Sequence, residues 1–130
     1  ADYRDKRVLL AEDNEINREI ARELVGESGV VIEEACDGAE AVRMVRESEE
    51  GYYDLILMDI QMPEMDGYEA TREIRALERQ DVKRLPIVAM TANAFAEDIR
   101  AALDAGMDGH VAKPVDMGVL LSVITKHVKR

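Results

Sequence analysis

A doubly wound α/β fold of five strand–helix units is what this 130-residue sequence predicts. Three observations predict it. Short β-rich apolar runs alternate with stretches whose apolar residues recur at helical spacing. The run at residues 53–58 is strongly apolar, as a central strand buried on both faces is. No repeat, linker or low-complexity segment breaks the alternation, so one domain over residues 1–130 is expected, long enough for a single core.

Residues 7–12 read as the first strand. The first helix runs from Asn14 to about Ser28, with Ile16, Ile20 and Leu24 on one face and Gly29 as its stop. Val30-Val31-Ile32 is the second strand. Residues 38–49 are the second helix, with Ala41, Val42 and Val45 inward, and Gly51 breaks it. The central strand at 53–58 leads to a third helix at 66–78. Pro86 introduces the fourth strand, 86–90. Residues 94–105 make the fourth helix, ended by Gly106, and 109–112 the fifth strand. The last helix covers 115–129, with Leu120, Leu121 and Ile124 as core residues. Right-handed crossovers covering both faces require a reversal of strand order. Topology follows in part from this: the flavodoxin-like order 2-1-3-4-5, a parallel five-stranded sheet, is the expected one, and it sets strands one and three side by side at the switch point.

The net charge of −11 argues against direct nucleic-acid binding, which needs a basic surface. No apolar run reaches the length of a membrane span, and the polar start, Ala1 to Arg7, is no signal peptide. A start at Ala1 rather than Met leads us to expect an excised domain or a processed product. The single cysteine, Cys36, leaves no internal disulfide and no cysteine-rich zinc site. It closes an apolar segment and reads as a small core residue, in keeping with a cytoplasmic setting.

Four strands end in groups that work on phosphate or metal. Val8-Leu9-Leu10-Ala11 ends in Glu12-Asp13, Leu55-Ile56-Leu57-Met58 in Asp59, Ile87-Val88-Ala89-Met90 in Thr91, and Val111-Ala112 in Lys113-Pro114. In an open parallel sheet, ligands bind outside the carboxyl ends of the strands, so these groups should share one pocket. Three carboxylates at one crevice repel one another, and a hard divalent cation relieves the repulsion. Magnesium suits the set. Asp13 and Asp59 are the expected direct ligands, Glu12 acts through water, and the backbone carbonyl of Gln61 completes the protein's share. A carboxylate is also a nucleophile towards phosphorus, and Asp59, after the most apolar strand, is the best placed. Lys113 offers a point charge and Thr91 a hydroxyl donor to the phosphoryl oxygens. A cis bond before Pro114 would help aim Lys113. In the loop from Gln61 to Gly67, Pro63 and Gly67 shape the turn, Asp66 caps the third helix, and Met62 and Met65 pack.

These motifs resemble the receiver domain of two-component response regulators over essentially the whole chain. They are Leu9-Leu10-Ala11-Glu12-Asp13-Asn14, the stretch from Leu57 to Gly67, Met90-Thr91-Ala92-Asn93, and Val111-Ala112-Lys113-Pro114. The stretches Glu12 to Asn17 and Thr91 to Ala94 look most like receivers of hybrid sensor histidine kinases. The resemblance implies that Asp59 is the phosphoacceptor and that Glu12 and Asp13 hold magnesium. It makes Thr91 the switch hydroxyl and Lys113 the phosphate-binding lysine. The phosphodonor it implies is a histidine kinase or a histidine phosphotransfer domain, with an attached kinase or output domain as a further partner. Gln61 and Asn93 would tune the lifetime of the aspartyl phosphate. His110 stands where many receivers carry Tyr or Phe, which alters the aromatic half of the switch.

By the same resemblance, phosphorylation shifts the region around the fourth helix, fifth strand and last helix. The module would catalyse only its own phosphorylation and dephosphorylation. Four readings compete. A single-domain response regulator shares every motif. A pseudo-receiver that ignores phosphate is countered by the intact acidic set. A magnesium-dependent phosphohydrolase of the haloacid dehalogenase type needs a second Asp where Gln61 stands. A flavin module would have to seat its phosphate against Glu12 and Asp13.

Overall fold

The structure, a computed structural model of the chain, describes residues 6–26, 29–91, 96–112 and 117–127. Its strands are β1 (Arg7–Ala11), β2 (Val31–Ala35), β3 (Leu55–Asp59), β4 (Ile87–Thr91) and β5 (Gly109–Ala112). Its helices are α1 (Glu15–Gly26), α2 (Gly38–Glu47), α3 (Gly67–Arg75), α4 (Gln80–Arg84), α5 (Ala96–Ala105) and α6 (Met117–His127). All strand pairs are parallel and the order is β2-β1-β3-β4-β5, as expected.

The three central strands carry the core because neither face of them meets water. Every residue of β3 and β4 is buried. Alternation then divides the side chains between two layers. Leu9, Ile56, Met58 and Ile87 pack with Ala41, Val42 and Val45 of α2, Ala70 and Ile74 of α3, and Ala102 of α5. Val8, Leu10, Leu55, Leu57 and Val88 pack on the other face with Ala21 of α1 and Ile124 of α6. Leu120 and Leu121 carry side chains outside the described set. Among the described residues no helix is long and apolar enough to cross a membrane.

Three helices open with side-chain caps at the carboxyl edge of the sheet. Asn14 Oδ1 accepts from Asn17 N–H at 3.1 Å, Asp37 from Glu40 N–H at 2.8 Å, and Asp66 from Glu69 N–H at 2.9 Å. Each satisfies one orphan donor of a helix start, worth about 1 kcal/mol. Met62 is buried and Met65 packs on the core, as their loop predicts.

Three expectations change. The extra turn α4 carries no long apolar pattern of its own; it is held by buried Val82 and by arginine contacts from outside it. Ile16 and Ile20, for which the sequence leaves a core position and a partner-facing position both open, take the second and are 67% and 46% exposed. The inward stripe of α1 runs instead through Ala21 and Leu24, and Ile20 lies about 100° round the helix from Ala21. Cys36 is exposed, because it falls one residue past the end of β2, in the turn before the Asp37 cap, where neither helix layer covers it.

Candidate functional site

The register of the sheet assembles the site. Ala11 pairs with Met58, so Glu12 and Asp59 leave adjacent strands at the same level. Asp59 pairs with Met90, and Thr91 with Ala112. The carboxylates of Glu12, Asp13 and Asp59 each place an oxygen within 4.8 Å of the others. Glu12 and Asp59 are buried, at 2% and 4% exposure, whereas Asp13 reaches solvent. Buried carboxylates are stable only with hydrogen bonds, countercharge or metal. Part of that support is local. Glu12 Oε2 accepts from Asn14 N–H at 3.3 Å, and Asp59 Oδ1 from Gln61 N–H at 3.2 Å. Both bonds fold the chain back two residues on, so each carboxylate is oriented by the loop it begins.

A cleft of about 350 Å³ opens over these groups, lined by Glu12, Asp13, Asn14, Asn17, Asp59, Gln61, Thr91 and Asp98. A bulk water occupies about 30 Å³, so the cleft has room for a hydrated cation and a phosphoryl group. The lining is chiefly oxygen from carboxylates, amides and one hydroxyl. That chemistry fits a small hard divalent cation, which takes one or two carboxylates and keeps several waters.

The loop after Asp59 is held by close backbone approach. Gly67 N–H donates to Ile60 O at 2.9 Å. A Cβ on Gly67 would lie 2.3 Å from the carbonyl oxygen of Asp59. The first residue of α3 therefore rests on the main chain of Asp59 itself. Glu64 takes a positive φ of 69° in the turn between Pro63 and Met65. From the cleft a shallower groove continues over Gln61, Met62 and Pro63 to Tyr68 and Asp98. Burial, and then the carboxylates of Asp98 and Asp66, hold the Tyr68 phenol above its ordinary pKa.

Glu12, Asp13, Asp59, Gln61 and Thr91 thus meet in one cleft, as the sequence predicts. Asn93, Lys113 and Pro114, with the Lys113-Pro114 peptide bond, lie outside the described residues. His110 is exposed on β5 and is absent from the cleft lining. Two lining residues had no signal of their own. Asp98 belongs to the first turn of α5 and arrives by helix packing. Asn14 sat inside an acidic motif, where its capping role hid its position at the cleft.

Comparison with known proteins agrees with this geometry. The family described as "Response regulator receiver domain" matches residues 8–125. The rice protein named "Probable histidine kinase 2" (Oryza sativa subsp. indica) is 45% identical over 120 residues, which cover 84% of this chain. The chain spans only 12% of the length of that relative. Among solved structures, one is the receiver domain of a sensor histidine kinase of Pseudomonas aeruginosa PAO1, with magnesium coordinated in its active-site cleft. It superposes with a TM-score of 0.84 at 38% identity, covering 94% of this chain and 96% of that one. Another is the receiver domain of the Saccharomyces cerevisiae response regulator Ssk1, in complex with the histidine phosphotransfer protein Ypd1. Its TM-score is 0.85 at 30% identity, with 98% of this chain and 92% of that one covered.

Proposed function

The chain belongs to the response regulator receiver family, and from that premise we propose that Asp59 accepts a phosphoryl group from a phosphohistidine. The convergence of three carboxylates within 4.8 Å beside a buried threonine carries this reading. One Asp59 oxygen attacks phosphorus in line with the leaving imidazole. The P–N bond breaks, its electron pair stays on the imidazole nitrogen, and an acyl phosphate forms on Asp59. Glu12, Asp13, Asp59 and the carbonyl of Gln61 are the groups to hold magnesium. When bound, magnesium screens the charge on the transferring phosphoryl oxygens.

The chain's own residues do the rest. The Gln61 N–H orients Asp59 Oδ1, and Gly67 holds α3 against the Asp59 main chain. Lys113 follows Ala112, the register partner of Thr91, and supplies a positive point charge by the family motif. Thr91 donates its hydroxyl to the phosphate and carries the change to the helix that follows it. The responding region is α5, β5 and α6. Gln61 and Asn93 set the lifetime of the phosphate, and His110 modifies the switch at the usual aromatic position. A phosphate biases two arrangements only through its differential interaction with them.

The phosphodonor is a histidine kinase or a histidine phosphotransfer domain. Its docking face is α1, where exposed Ile16 and Ile20 flank Asn17 of the cleft lining. The Ypd1 complex of a similar receiver supports a partner of this kind. We read the chain as a single receiver domain over residues 1–130, the cytoplasmic receiver of a hybrid sensor histidine kinase. The identity to the rice kinase supports this assignment.

Intact-mass analysis after incubation with acetyl phosphate, with and without magnesium, tests the central claim beside Asp59→Asn. One magnesium-dependent phosphoryl adduct, absent from the variant, is expected. Folded, magnesium-loaded protein that takes no adduct would instead make the domain a phosphate-independent interaction module.

A further inference from the structure

We infer that Arg18 is a positioning residue for the acidic pair. It would set magnesium affinity through the main chain of Glu12, and it touches neither the metal nor the phosphate. The inference rests on the receiver reading above.

The main chain of Glu12 is held at both its groups, the N–H by β2 and the carbonyl by Arg18 of α1. Glu12 N–H donates to Ala35 O at 3.1 Å. Glu12 O accepts from Arg18 Nη1 at 2.8 Å. The guanidinium is itself braced, with its Nε 3.4 Å from Glu34 Oε1. Glu34 is the residue before Ala35 on β2, so both supports return to the same strand end. The other Glu34 oxygen takes Arg22 Nη1 at 2.6 Å. Arg18 is only 16% exposed, while Arg22 is 51% exposed.

One consequence follows from this placement. The carbonyl of Glu12 is the hinge between the two acidic side chains, so fixing it fixes their separation. The guanidinium pairs with Glu34, so what it gives the metal site is geometry rather than charge. Removing it leaves the carbonyl of a buried residue without this donor and frees the Glu12–Asp13 peptide to rotate. Supporting groups of this kind commonly change metal affinity by about tenfold to a hundredfold when lost. Arg22 shares Glu34 as partner but gives Glu12 nothing, which makes it the internal control.

The test is calorimetric titration of magnesium chloride into the full chain, in wild type, Arg18→Ala, Arg18→Lys and Arg22→Ala. Arg18→Ala is expected to weaken magnesium binding about tenfold. Arg22→Ala is expected to stay within about twofold of wild type, since it leaves the Glu12 carbonyl held. Arg18→Lys should recover part of the loss, because one ammonium reaches the carbonyl but cannot also fork onto Glu34. At saturating magnesium, the Arg18→Ala rate of phosphorylation by acetyl phosphate should return to near the wild-type rate. Equal affinity in Arg18→Ala and wild type, in protein shown folded by circular dichroism, would overturn the inference. So would an equal loss in Arg22→Ala. A wild-type chain that binds no magnesium would overturn the magnesium-dependent phosphoacceptor reading itself, a result distinguishable from either of these.

Discussion

At the carboxyl ends of the strands, three carboxylates converge within 4.8 Å. At the amino ends, two arginines close the molecule by hydrogen-bonding main-chain carbonyls. Arg75 reaches Gly106 O, Val82 O and Leu85 O at 2.6–3.0 Å, and its Nη2 meets Asp108 Oδ2 at 2.8 Å. Asp108 in turn accepts Ile87 N–H at 2.9 Å, at the start of β4. Arg79 caps the end of α2 through Val45 O, Ser48 O and Glu49 O, and pairs with Asp81. Helices in this fold run against the strands, so their carbonyl-bearing ends gather at the amino edge, where cations are favourable. Their N–H-bearing ends gather at the carboxyl edge, where anions are favourable.

The difference teaches where stability and function are kept. One end satisfies its own groups with planar donors that match several acceptors at once. The other concentrates like charge, which is poor for stability and suited to a cation and a phosphoryl group. Stability and activity should therefore respond separately to substitution at the two ends.

Arg75→Ala should give the largest effect. It withdraws donors from three carbonyls and one carboxylate, and the expected loss is about 2–4 kcal/mol. Urea denaturation measures it, while magnesium affinity of the folded fraction stays within about twofold. A matching loss of magnesium affinity would break the separation.

Gly67→Ala should come next, and it crosses the boundary between stability and activity. The new Cβ meets the Asp59 carbonyl at 2.3 Å, so α3 must move off the phosphoacceptor's main chain. Overpacking of this kind costs about 1–3 kcal/mol. The variant should lose stability by denaturation and slow its phosphorylation by acetyl phosphate in the same experiment. Unchanged phosphorylation would show that the site tolerates displacement of α3.

The smallest effect sharpens the comparison by pH. Burial pushes the Asp81 carboxyl up, but the Arg79 guanidinium and the Gly51 N–H outweigh it and hold the group below the usual carboxylate value. A lowered folded pKa stabilises the protein above the unfolded value, about 3.9, and that stabilisation disappears as pH falls through the folded one. Wild type should exceed Asp81→Asn by about 0.5 kcal/mol at neutral pH, a size set by its partial exposure. The gap should hold down to about pH 4 and close below it. Parallel urea titrations from pH 7 to about pH 3 measure it. A gap independent of pH would assign the contribution to packing rather than charge.

Much of the site was legible because its signals are local. The strands that build the site, β1, β3 and β4, are each announced by a contiguous apolar run, and Glu12, Asp13, Asp59 and Thr91 stand directly at the ends of those runs. Parallel pairing with strand ends level is then enough to bring them together, as the pairs Ala11–Met58 and Asp59–Met90 do. Asp98 and Arg18 were not legible, because each reaches the site only through the rotation of its helix.

The sequence by itself determined the strand–helix alternation and the acidic set, since apolar periodicity and strand-end position are properties of neighbouring residues; it required a reversal of strand order, and the sheet decided where that reversal falls. Tertiary structure alone decided that Ile16, Ile20 and Cys36 face solvent, that α4 forms, and that Arg18, Arg75 and Arg79 act as clamps. The physical reason is common to all of these. Burial depends on what a distant element covers, and main-chain carbonyls, the partners of those arginines, are the same at every residue until the fold brings a particular one within reach.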